Sequence, residues 1–230
     1  MPPVPIESLV EILEDRRPLA PPYLIGVTGG VAVGKSTFAA RLSARFGDGT
    51  PVIGADSFLL PNSVLEDRGL TGEKGFPDSF DHELLRQALL ELRAGGGVDL
   101  PVYSHLTYDI DPGARRQVPA SGTVVVEGLH LTRFAGDIID VVVHIEANER
   151  DNRRWFIERF CAFCAAAIDQ PDSFYRMFLG MSEPEQLAVA ELLWEQINVV
   201  NLRRHIAPWR DRADIVLSLD GDHGVASIRA

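Results

Sequence analysis

Short apolar runs alternate with amphipathic segments along the chain. The runs "YLIGVTG", "PVIGAD", "TVVVEG", "DVVVHIEA" and "ADIVLSL" contain consecutive valine, isoleucine and leucine residues and mostly end in a glycine or a carboxylate. Continuous runs of this kind are typical of parallel strands that are buried on both faces. The pattern therefore predicts a parallel sheet of about five strands.

The segments between these runs show the apolar spacing of helices. In "GKSTFAARLSARF", Phe38, Leu42 and Phe46 fall on one helical face, and "DHELLRQALLELRAG" predicts another helix. A long helical region is predicted from about residue 149 to 205. Strands alternating with helices predict an α/β fold of three layers, here with a helical lobe.

The first 22 residues precede the first predicted strand. Apolar residues at helical spacing followed by the break "RRPLAPP" predict a short amphipathic helix docked on the main body. We treat residues 1–22 as an N-terminal extension and residues 23–230 as a single domain.

Composition excludes several classes of protein. Of the 230 residues, 46% are apolar and 24% charged, as in ordinary globular domains, and the net charge is -11. An acidic chain lacks the positive face that nucleic acids and membrane surfaces require. There is no run of eighteen apolar residues and no signal-peptide pattern at the start, so we expect a cytoplasmic protein.

The segment "GGVAVGKS" matches the phosphate-binding pattern G-x-x-x-x-G-K-[ST] between a predicted strand and a predicted helix. Backbone N–H groups of such a loop hold phosphates, its lysine reaches the β and γ oxygens, and its serine hydroxyl ligates Mg²⁺. The residues predicted to bind ATP here are Gly29, Gly30, Val31, Ala32, Val33, Gly34, Lys35, Ser36 and Thr37.

Two carboxylates end predicted strands. Asp56 and Glu127 follow the second and third apolar runs, at the sheet edge where ligands bind in open α/β folds. The base-reading motif N-K-x-D of GTPases is absent from the sequence. The pattern therefore favours a small-molecule kinase.

The stretch "PVYSHLTYD", residues 101–109, follows neither the strand nor the helix pattern cleanly. It combines two tyrosines, a histidine, a serine, a threonine and an aspartate. We interpret it as a surface that contacts a ligand.

These segments together resemble a known family. "GVTGGVAVGKST", "ADSFLLPNSVLEDRGL", "KGFPDSFD", "PVYSHLTYD", "VVVEGLH", "RRWFIERF", "QINVVNLRRHIAPWRDRADIVL" and a late "DHGV" are similar, in order and spacing, to bacterial type I pantothenate kinase. That family lies in the P-loop kinase group with uridine kinase and phosphoribulokinase. The resemblance extends from Tyr23 to the end of the chain.

The resemblance implies a P-loop kinase fold and transfer of the γ-phosphoryl of ATP, with Mg²⁺, to the primary hydroxyl of pantothenate. That reaction opens coenzyme A biosynthesis. It also implies a homodimer, feedback inhibition by coenzyme A, a substrate-side segment at residues 59–118 and a helical lobe and lid at residues 148–209.

The resemblance also implies roles for individual residues. Lys35, Asp56 and Arg159 are the expected catalytic residues, Ser36 and Glu127 the metal ligands, and His223 a contact near the adenine. Asp56 is expected to orient the acceptor hydroxyl and to accept its proton late in a loose transition state. The expected acceptor contacts are Asp56, Lys74, Tyr103, His105, Tyr108, Phe156, Arg159, Phe160, Phe163, Tyr175 and Asn198.

The chain departs from the family pattern at several positions. Phe156 replaces a tyrosine expected to hydrogen-bond the substrate, Ala40 replaces a basic residue implicated in coenzyme A binding with Arg41 next to it, and His130 replaces an asparagine. The segment before the phosphate loop is also shorter than usual. These differences leave the acceptor and the feedback inhibition open.

Two other functions compete with pantothenate phosphorylation. A related kinase could act on a sugar, nucleoside or hydroxy acid, as Phe156 and the short N-terminal segment favour. A nonenzymatic sensor of nucleotide or coenzyme A would be expected to lack Lys35, Ser36, Asp56 or Glu127, and the chain has all four.

Overall fold

The computed structural model describes residues 6–230, so part of the predicted N-terminal extension, residues 1–5, lies outside the described residues. The strands are β1 (Tyr23–Gly29), β2 (Val52–Gly54), β3 (Val98–Ser104), β4 (Asp109–Val118), β5 (Thr123–Glu127), β6 (Val141–Ala147), β7 (Ile215–Leu219) and β8 (Val225–Arg229). The helices are α1 (Ile6–Asp15), α2 (Lys35–Arg45), α3 (Asn62–Asp67), α4 (His82–Arg93), α5 (Leu131–Ala135), α6 (Glu149–Ala166), α7 (Glu183–Leu193) and α8 (Val199–Asn201).

Six strands form the main sheet in the order β2-β5-β1-β6-β7-β8. The first five are parallel, which confirms the sheet predicted from the apolar runs. The sixth, β8, pairs antiparallel with β7 at the edge and was not predicted. Its sequence "VASIR" is mostly exposed, because an edge strand near the surface buries little of either face.

Each face of the sheet is covered by helices. Leu24 in β1 packs with Leu85 and Leu89 of α4 in one buried cluster. The next residue, Ile25, lies in a second cluster with residues of α1 and α2. Successive side chains of a strand point to opposite faces. The clusters therefore lie on opposite sides of β1, and the predicted three layers are confirmed.

Helix α1 packs onto the α2 side of the sheet. Leu9 and Leu13 are fully buried there, and the Tyr23 hydroxyl donates a 2.7 Å hydrogen bond to the Leu13 carbonyl. This bond fastens the end of α1 to the start of β1.

The stretch at residues 101–109 is more regular than its sequence indicated. Its first four residues belong to β3, which pairs antiparallel with β4 in a separate two-stranded sheet. The register shifts between Pro101 and Val102. The hairpin is not packed on both sides as the central strands are, so polar side chains occur on both of its faces. Its sequence therefore lacks the apolar pattern from which the other strands were predicted.

The helical lobe begins at α6 and continues through α7 and α8. Helix α7 starts with a capping box, in which the Ser182 N–H donates a 2.7 Å hydrogen bond to the Glu185 carboxylate. Two π-helical turns, Trp194–Asn198 and Leu202–Ile206, flank α8. Turns of this kind are frequent at functional sites, and the first of them ends at Asn198, a predicted acceptor contact.

Candidate active site

The phosphate loop connects β1 to α2 and depends on two glycines. At Gly29, φ is +145°, and a Cβ would lie 2.1 Å from the backbone oxygen of Ile145. Gly34 is the left-handed N-cap of α2, with φ +92°. Any larger side chain at Gly29 would push the loop away from the sheet, so this position is restricted to glycine.

The N-terminus of α2 offers its backbone N–H groups to a ligand. Among the described residues, no side chain caps this helix, and its first turn contains no acidic residue. Unpaired N–H groups together with the helix dipole favour a bound anion. The loop therefore has the electrostatics of a phosphate site.

Lys35 supplies a positive charge beside the loop. Its Nζ donates a 2.7 Å hydrogen bond to the Gly30 carbonyl. Burial lowers the pKa of Lys35, while the neighbouring carboxylates of Glu127 and Asp56 act in the opposite direction. The ammonium is held by one backbone oxygen, which a phosphate oxygen can replace.

Ser36 and Glu127 meet across the loop. The Ser36 hydroxyl donates a 2.9 Å hydrogen bond to Glu127 Oε1. Burial raises the pKa of Glu127, and Lys35 opposes that rise. A buried carboxylate with a raised pKa is stabilised by an added cation.

A close backbone approach brings Asp56 near this pair. Gly128, directly after Glu127, has φ +156°, and a Cβ there would lie 2.3 Å from the Cβ of Ala55. The absence of a side chain at Gly128 lets the end of β5 touch the segment that follows β2. Asp56 and Glu127 consequently line the same cavity.

The donor set at this point suits Mg²⁺. The hydroxyl of Ser36 and the carboxylate of Glu127 are hard oxygen ligands, and Mg²⁺ in kinases takes few ligands from the protein and several from phosphates and water. Within residues 6–230 there is no group of three or more metal-binding side chains that could hold an ion on their own. A metal here fits as a partner of bound nucleotide phosphates.

A cavity of about 500 Å³ extends from Lys35 and Ser36 to the β3–β4 hairpin and the helical lobe. This volume is in the range of small-molecule sites. Every residue predicted to contact the acceptor lines it: Asp56, Lys74, Tyr103, His105, Tyr108, Phe156, Arg159, Phe160, Phe163, Tyr175 and Asn198.

Lys74 lies on the hairpin side of the cavity. Its Nζ donates 2.5 Å hydrogen bonds to the Tyr108 carbonyl and to Asn62 Oδ1. It also lies 4.5 Å from the centre of the Tyr108 ring and 5.2 Å from that of Tyr103. Burial lowers the pKa of Lys74, with Asp109 and Asp56 opposing. This lysine is a partly desolvated cation that lines the cavity.

Tyr108 has a strained backbone and a fixed ring. Its φ is +56°, a left-handed conformation that is uncommon for an aromatic residue, and its ring stacks on Phe174 with centroids 4.8 Å apart. Burial raises the pKa of Tyr108 to about 12, so its hydroxyl remains protonated at neutral pH. Strain of this kind is typical of functional sites.

Aromatic side chains of the lobe close the opposite wall. The ring centres of Phe160 and Phe178 lie 5.1 Å apart, and those of Phe163 and Tyr175 lie 5.0 Å apart. The Arg159 guanidinium lies 5.9 Å from the centre of the Phe163 ring. The cavity thus combines an apolar wall with a cation.

The lobe and the hairpin are joined by their backbones. The N–H of Phe174 donates a 2.8 Å hydrogen bond to the carbonyl of Leu106, in the turn between β3 and β4. This bond links the turn of the hairpin to Phe174, a residue of the cavity wall.

Phe156 occupies the position at which the resemblance expects a tyrosine. The side chain is 9% exposed and packs against Trp194 and Val199 while lining the cavity. The change therefore removes a polar atom from the wall and leaves the aromatic packing in place.

Several lining residues were not predicted. They are Leu59, Thr71, Gly72, Gly75, Gly128, Leu129, Phe174, Phe178, Leu193, Ile197 and Asn201. The spacing of three residues from Tyr175 to Phe178 and from Asn198 to Asn201 could have indicated two of them, because such residues share a helical face.

Asn152 was also missed, and it supports the phosphate loop from outside the cavity. Its Nδ2 donates a 2.6 Å hydrogen bond to the Val31 carbonyl, and its side chain is 3% exposed. Nothing in the local sequence of α6 indicates this contact, which joins positions 121 residues apart.

His223 lies beside the end of the phosphate loop and does not line the cavity. Its ring stacks on Trp155 with centroids 3.7 Å apart, and its Nδ1 lies 3.8 Å from where a Cβ of Gly34 would be. Five predicted nucleotide residues also do not line the cavity: Gly29, Gly30, Val33, Gly34 and Thr37. They belong to the loop and helix start, where backbone groups are the expected ligands.

The sequence pattern of the Phosphoribulokinase / Uridine kinase family matches residues 24–159, which include the phosphate loop and both strand-end carboxylates. The chain belongs to this family. Its curated relatives include pantothenate kinases of Parvibaculum lavamentivorans and of Leifsonia xyli subsp. xyli, each 40% identical. The matches cover 90% and 92% of this chain and 69% and 70% of those proteins.

The fold of the family extends to more distant structures. The D-glycerate 3-kinase from Cryptococcus neoformans var. grubii superposes with a TM-score of 0.62 at 12% identity, over 97% of this chain and 98% of that one. At this identity the likeness concerns the fold alone. Among the described helices, none combines the length and the apolar character needed to span a bilayer.

Proposed function

We propose that this protein transfers the γ-phosphoryl of ATP to the primary hydroxyl of pantothenate, the first step of coenzyme A biosynthesis. One observation carries the proposal: Asp56, next to the phosphate loop, lines the same cavity as Tyr103, His105 and Asn198. The 40% identity to pantothenate kinases supports this choice of acceptor.

ATP binds through the backbone of the phosphate loop and the N-terminus of α2. Lys35 exchanges its hydrogen bond to the Gly30 carbonyl for hydrogen bonds to phosphate oxygens, whose negative charge it also neutralises. Ser36 and Glu127 hold Mg²⁺, which, when bound, neutralises negative charge on the phosphates. His223, which stacks on Trp155 beside Gly34, contacts the nucleotide near its adenine.

Asp56 orients the acceptor hydroxyl for in-line attack. In a loose transition state, little negative charge develops on the attacking oxygen before the phosphoryl group has left ADP. The carboxylate therefore accepts the hydroxyl proton late and works chiefly by holding the oxygen in place. Arg159 supplies a second positive charge that stabilises the transferring group.

Pantothenate offers a carboxylate, an amide and two hydroxyls. Lys74 and Asn198, with Tyr103, His105 and Tyr108, provide the polar contacts. Phe156, Phe160, Phe163 and Tyr175 enclose the apolar part of the acceptor. A mixed wall of this kind suits a small polar molecule with a branched carbon skeleton.

A second candidate is a related kinase with another hydroxylated acceptor, such as a sugar, nucleoside or hydroxy acid. Phe156 favours it, since the buried ring offers no hydroxyl to the substrate. A nonenzymatic sensor is less well supported, because Lys35, Ser36, Asp56 and Glu127 are all present.

We extend the proposal to regulation and context. Ala40 and Arg41 are both exposed on α2, and the missing basic side chain at position 40 weakens inhibition by coenzyme A. A homodimer in the cytoplasm, with no nucleic-acid or membrane partner, is the proposed form of the enzyme. Residues 23–230 act as one P-loop kinase domain, in which residues 59–118 form the substrate side and 148–209 the lobe and lid.

The test is an acceptor panel. ADP release is measured with ATP, Mg²⁺ and, separately, pantothenate, uridine, D-glycerate and several sugars. Turnover with pantothenate that is lost in Asp56→Asn supports the proposal. Turnover only with another acceptor selects the second candidate, and ATP binding without any turnover favours the sensor.

A further inference from the structure

The carbonyl of Gly75 is the meeting point of three separate parts of the chain. His130 Nε2 lies 2.9 Å from this oxygen, and Asn201 Nδ2 donates to it at 2.7 Å. His130 is the N-cap of α5, three residues after Glu127 at the end of β5, and Asn201 ends α8. A carbonyl oxygen accepts two hydrogen bonds, so both acceptor positions are filled.

The His130 ring is held in one orientation. Its backbone is left-handed, with φ +63°, and the residue is 3% exposed. The ring packs against Phe80 and Phe134, with centroids 5.7 and 5.6 Å away. Because a carbonyl can only accept, we assign the proton to Nε2. Burial lowers the pKa of His130 to about 4, so the ring is neutral at pH 7.

Gly75 is fastened at its other polar group as well. Its N–H donates a 2.9 Å hydrogen bond to the hydroxyl of Ser79, which is fully buried. Its φ of +91° is a conformation that few other residues adopt. Both backbone groups of Gly75 are therefore tied down, and the residue before it is Lys74.

We propose that His130 is a positioning residue for the acceptor: together with Asn201 it clamps the Gly75 carbonyl and so sets Lys74 in the cavity. This rests on the proposed function, in which Lys74 contacts the acceptor. The clamp joins the strand that carries Glu127 to the loop that carries Lys74.

The clamp depends on a hydrogen-bond donor at the reach of His130 Nε2. An asparagine, which the resemblance leads one to expect there, has one atom fewer between Cβ and its donor and does not reach the same oxygen from the same backbone. The substitution that singled out His130 in the sequence thus has a structural consequence.

The experiment compares His130→Gln with His130→Met. The two side chains have similar length and shape, and only glutamine keeps a donor at the reach of Nε2. In His130→Met we expect the KM for pantothenate to rise about tenfold, from the loss of one buried hydrogen bond, with the KM for ATP within about twofold of wild type. His130→Gln should restore the pantothenate KM to within about threefold.

If His130 only stabilised the fold, its substitution would change the KM values for ATP and pantothenate by similar factors. Equal KM changes in both variants, or parallel rises for ATP and pantothenate, overturn the proposal. Hydrogen exchange of a peptide covering residues 71–80 tests the clamp without an acceptor: exchange should be faster in His130→Met than in His130→Gln, with the phosphate-loop peptide unchanged.

The two proposals fail differently. If the wild-type protein does not phosphorylate pantothenate, the proposed function fails. The KM comparison is then repeated with the acceptor of the panel that the protein does phosphorylate. The exchange experiment still decides the clamp in that case, and equal exchange in the two variants overturns it.

Discussion

The hydroxyl of Ser36 donates a hydrogen bond to Oε1 of Glu127 at 2.9 Å, although the two residues lie 91 positions apart. One belongs to the first turn of α2 and the other ends β5. Their contact places the two expected metal ligands within hydrogen-bond distance of each other.

Removing the charge of Glu127 should weaken the use of Mg²⁺. In Glu127→Gln, the amide oxygen can still accept from Ser36, so the local fold persists. Because the negative charge is lost, we expect activity at fixed Mg²⁺ to fall 10- to 100-fold and the half-saturating Mg²⁺ concentration to rise. A titration of ADP release against Mg²⁺ checks this, and an unchanged Mg²⁺ dependence would contradict the assignment.

Glu127 also gives the enzyme a pH dependence. Its pKa is raised by burial, so the folded protein takes up a proton at a higher pH than an ordinary glutamate. We expect the acid limb of kcat/KM for Mg²⁺-ATP, which reports the pKa values of the free enzyme, to lie above the ordinary glutamate range. Stability changes with pH in the opposite direction to activity. Without ligands, the free energy of unfolding increases as the pH falls through the raised pKa of Glu127. Melting temperatures should therefore differ more between wild type and Glu127→Gln at pH 7.5 than at pH 5.

Asp56→Asn should abolish most of the turnover and leave nucleotide binding intact. Loss of a positioned carboxylate that receives a proton typically costs about 10²- to 10⁴-fold in rate. The matched control is Asp67→Asn, an exposed aspartate at the end of α3. Steady-state rates and ATP titrations are compared for the three proteins. Near-normal turnover in Asp56→Asn would remove Asp56 from the mechanism.

Phe156→Tyr tests whether the cavity retains a partner for the missing hydroxyl. A hydrogen bond regained in a buried site contributes about 0.5–1.5 kcal/mol, or roughly two- to tenfold in KM for pantothenate. Phe163→Tyr adds a hydroxyl elsewhere in the wall and serves as the control. If pantothenate binds no more tightly in Phe156→Tyr, the acceptor does not place a polar group there, and the second candidate function gains support.

Asn152→Leu should affect the nucleotide more than the acceptor. Leucine has a similar size but cannot donate to the Val31 carbonyl, which Asn152 reaches at 2.6 Å. We expect the KM for ATP to rise about three- to tenfold through the loosened loop, with the pantothenate KM nearly unchanged. Initial rates over both substrate concentrations separate the two effects, and equal changes would show that Asn152 only stabilises the fold.

Much of the fold could be predicted because its central strands are buried on both faces. Residues such as Val124, Val125 and Val126 have no solvent side, so their sequence is continuously apolar and easily recognised. The phosphate loop could be predicted because backbone geometry fixes the spacing of Gly29, Gly34 and Lys35. In both cases the structural requirement falls on neighbouring residues, so it can be recognised in a short stretch of sequence.

The hairpin and the contacts of Asn152 and His130 could not be predicted from short stretches of sequence. The β3–β4 hairpin presents polar residues to the cavity, so its strand period is hidden. Asn152 and His130 act through carbonyls far away in sequence, at Val31 and Gly75. No spacing rule links such pairs, and only the folded chain shows them.

The bond between the Phe174 N–H and the Leu106 carbonyl has a consequence for substitutions in the cavity wall. It ties the lobe to the hairpin through atoms that every residue except proline possesses at the donor position. Side chains in the cavity wall can therefore be exchanged without removing this bond. The link between lobe and hairpin is therefore insensitive to side-chain identity, in contrast to the contacts that select the acceptor.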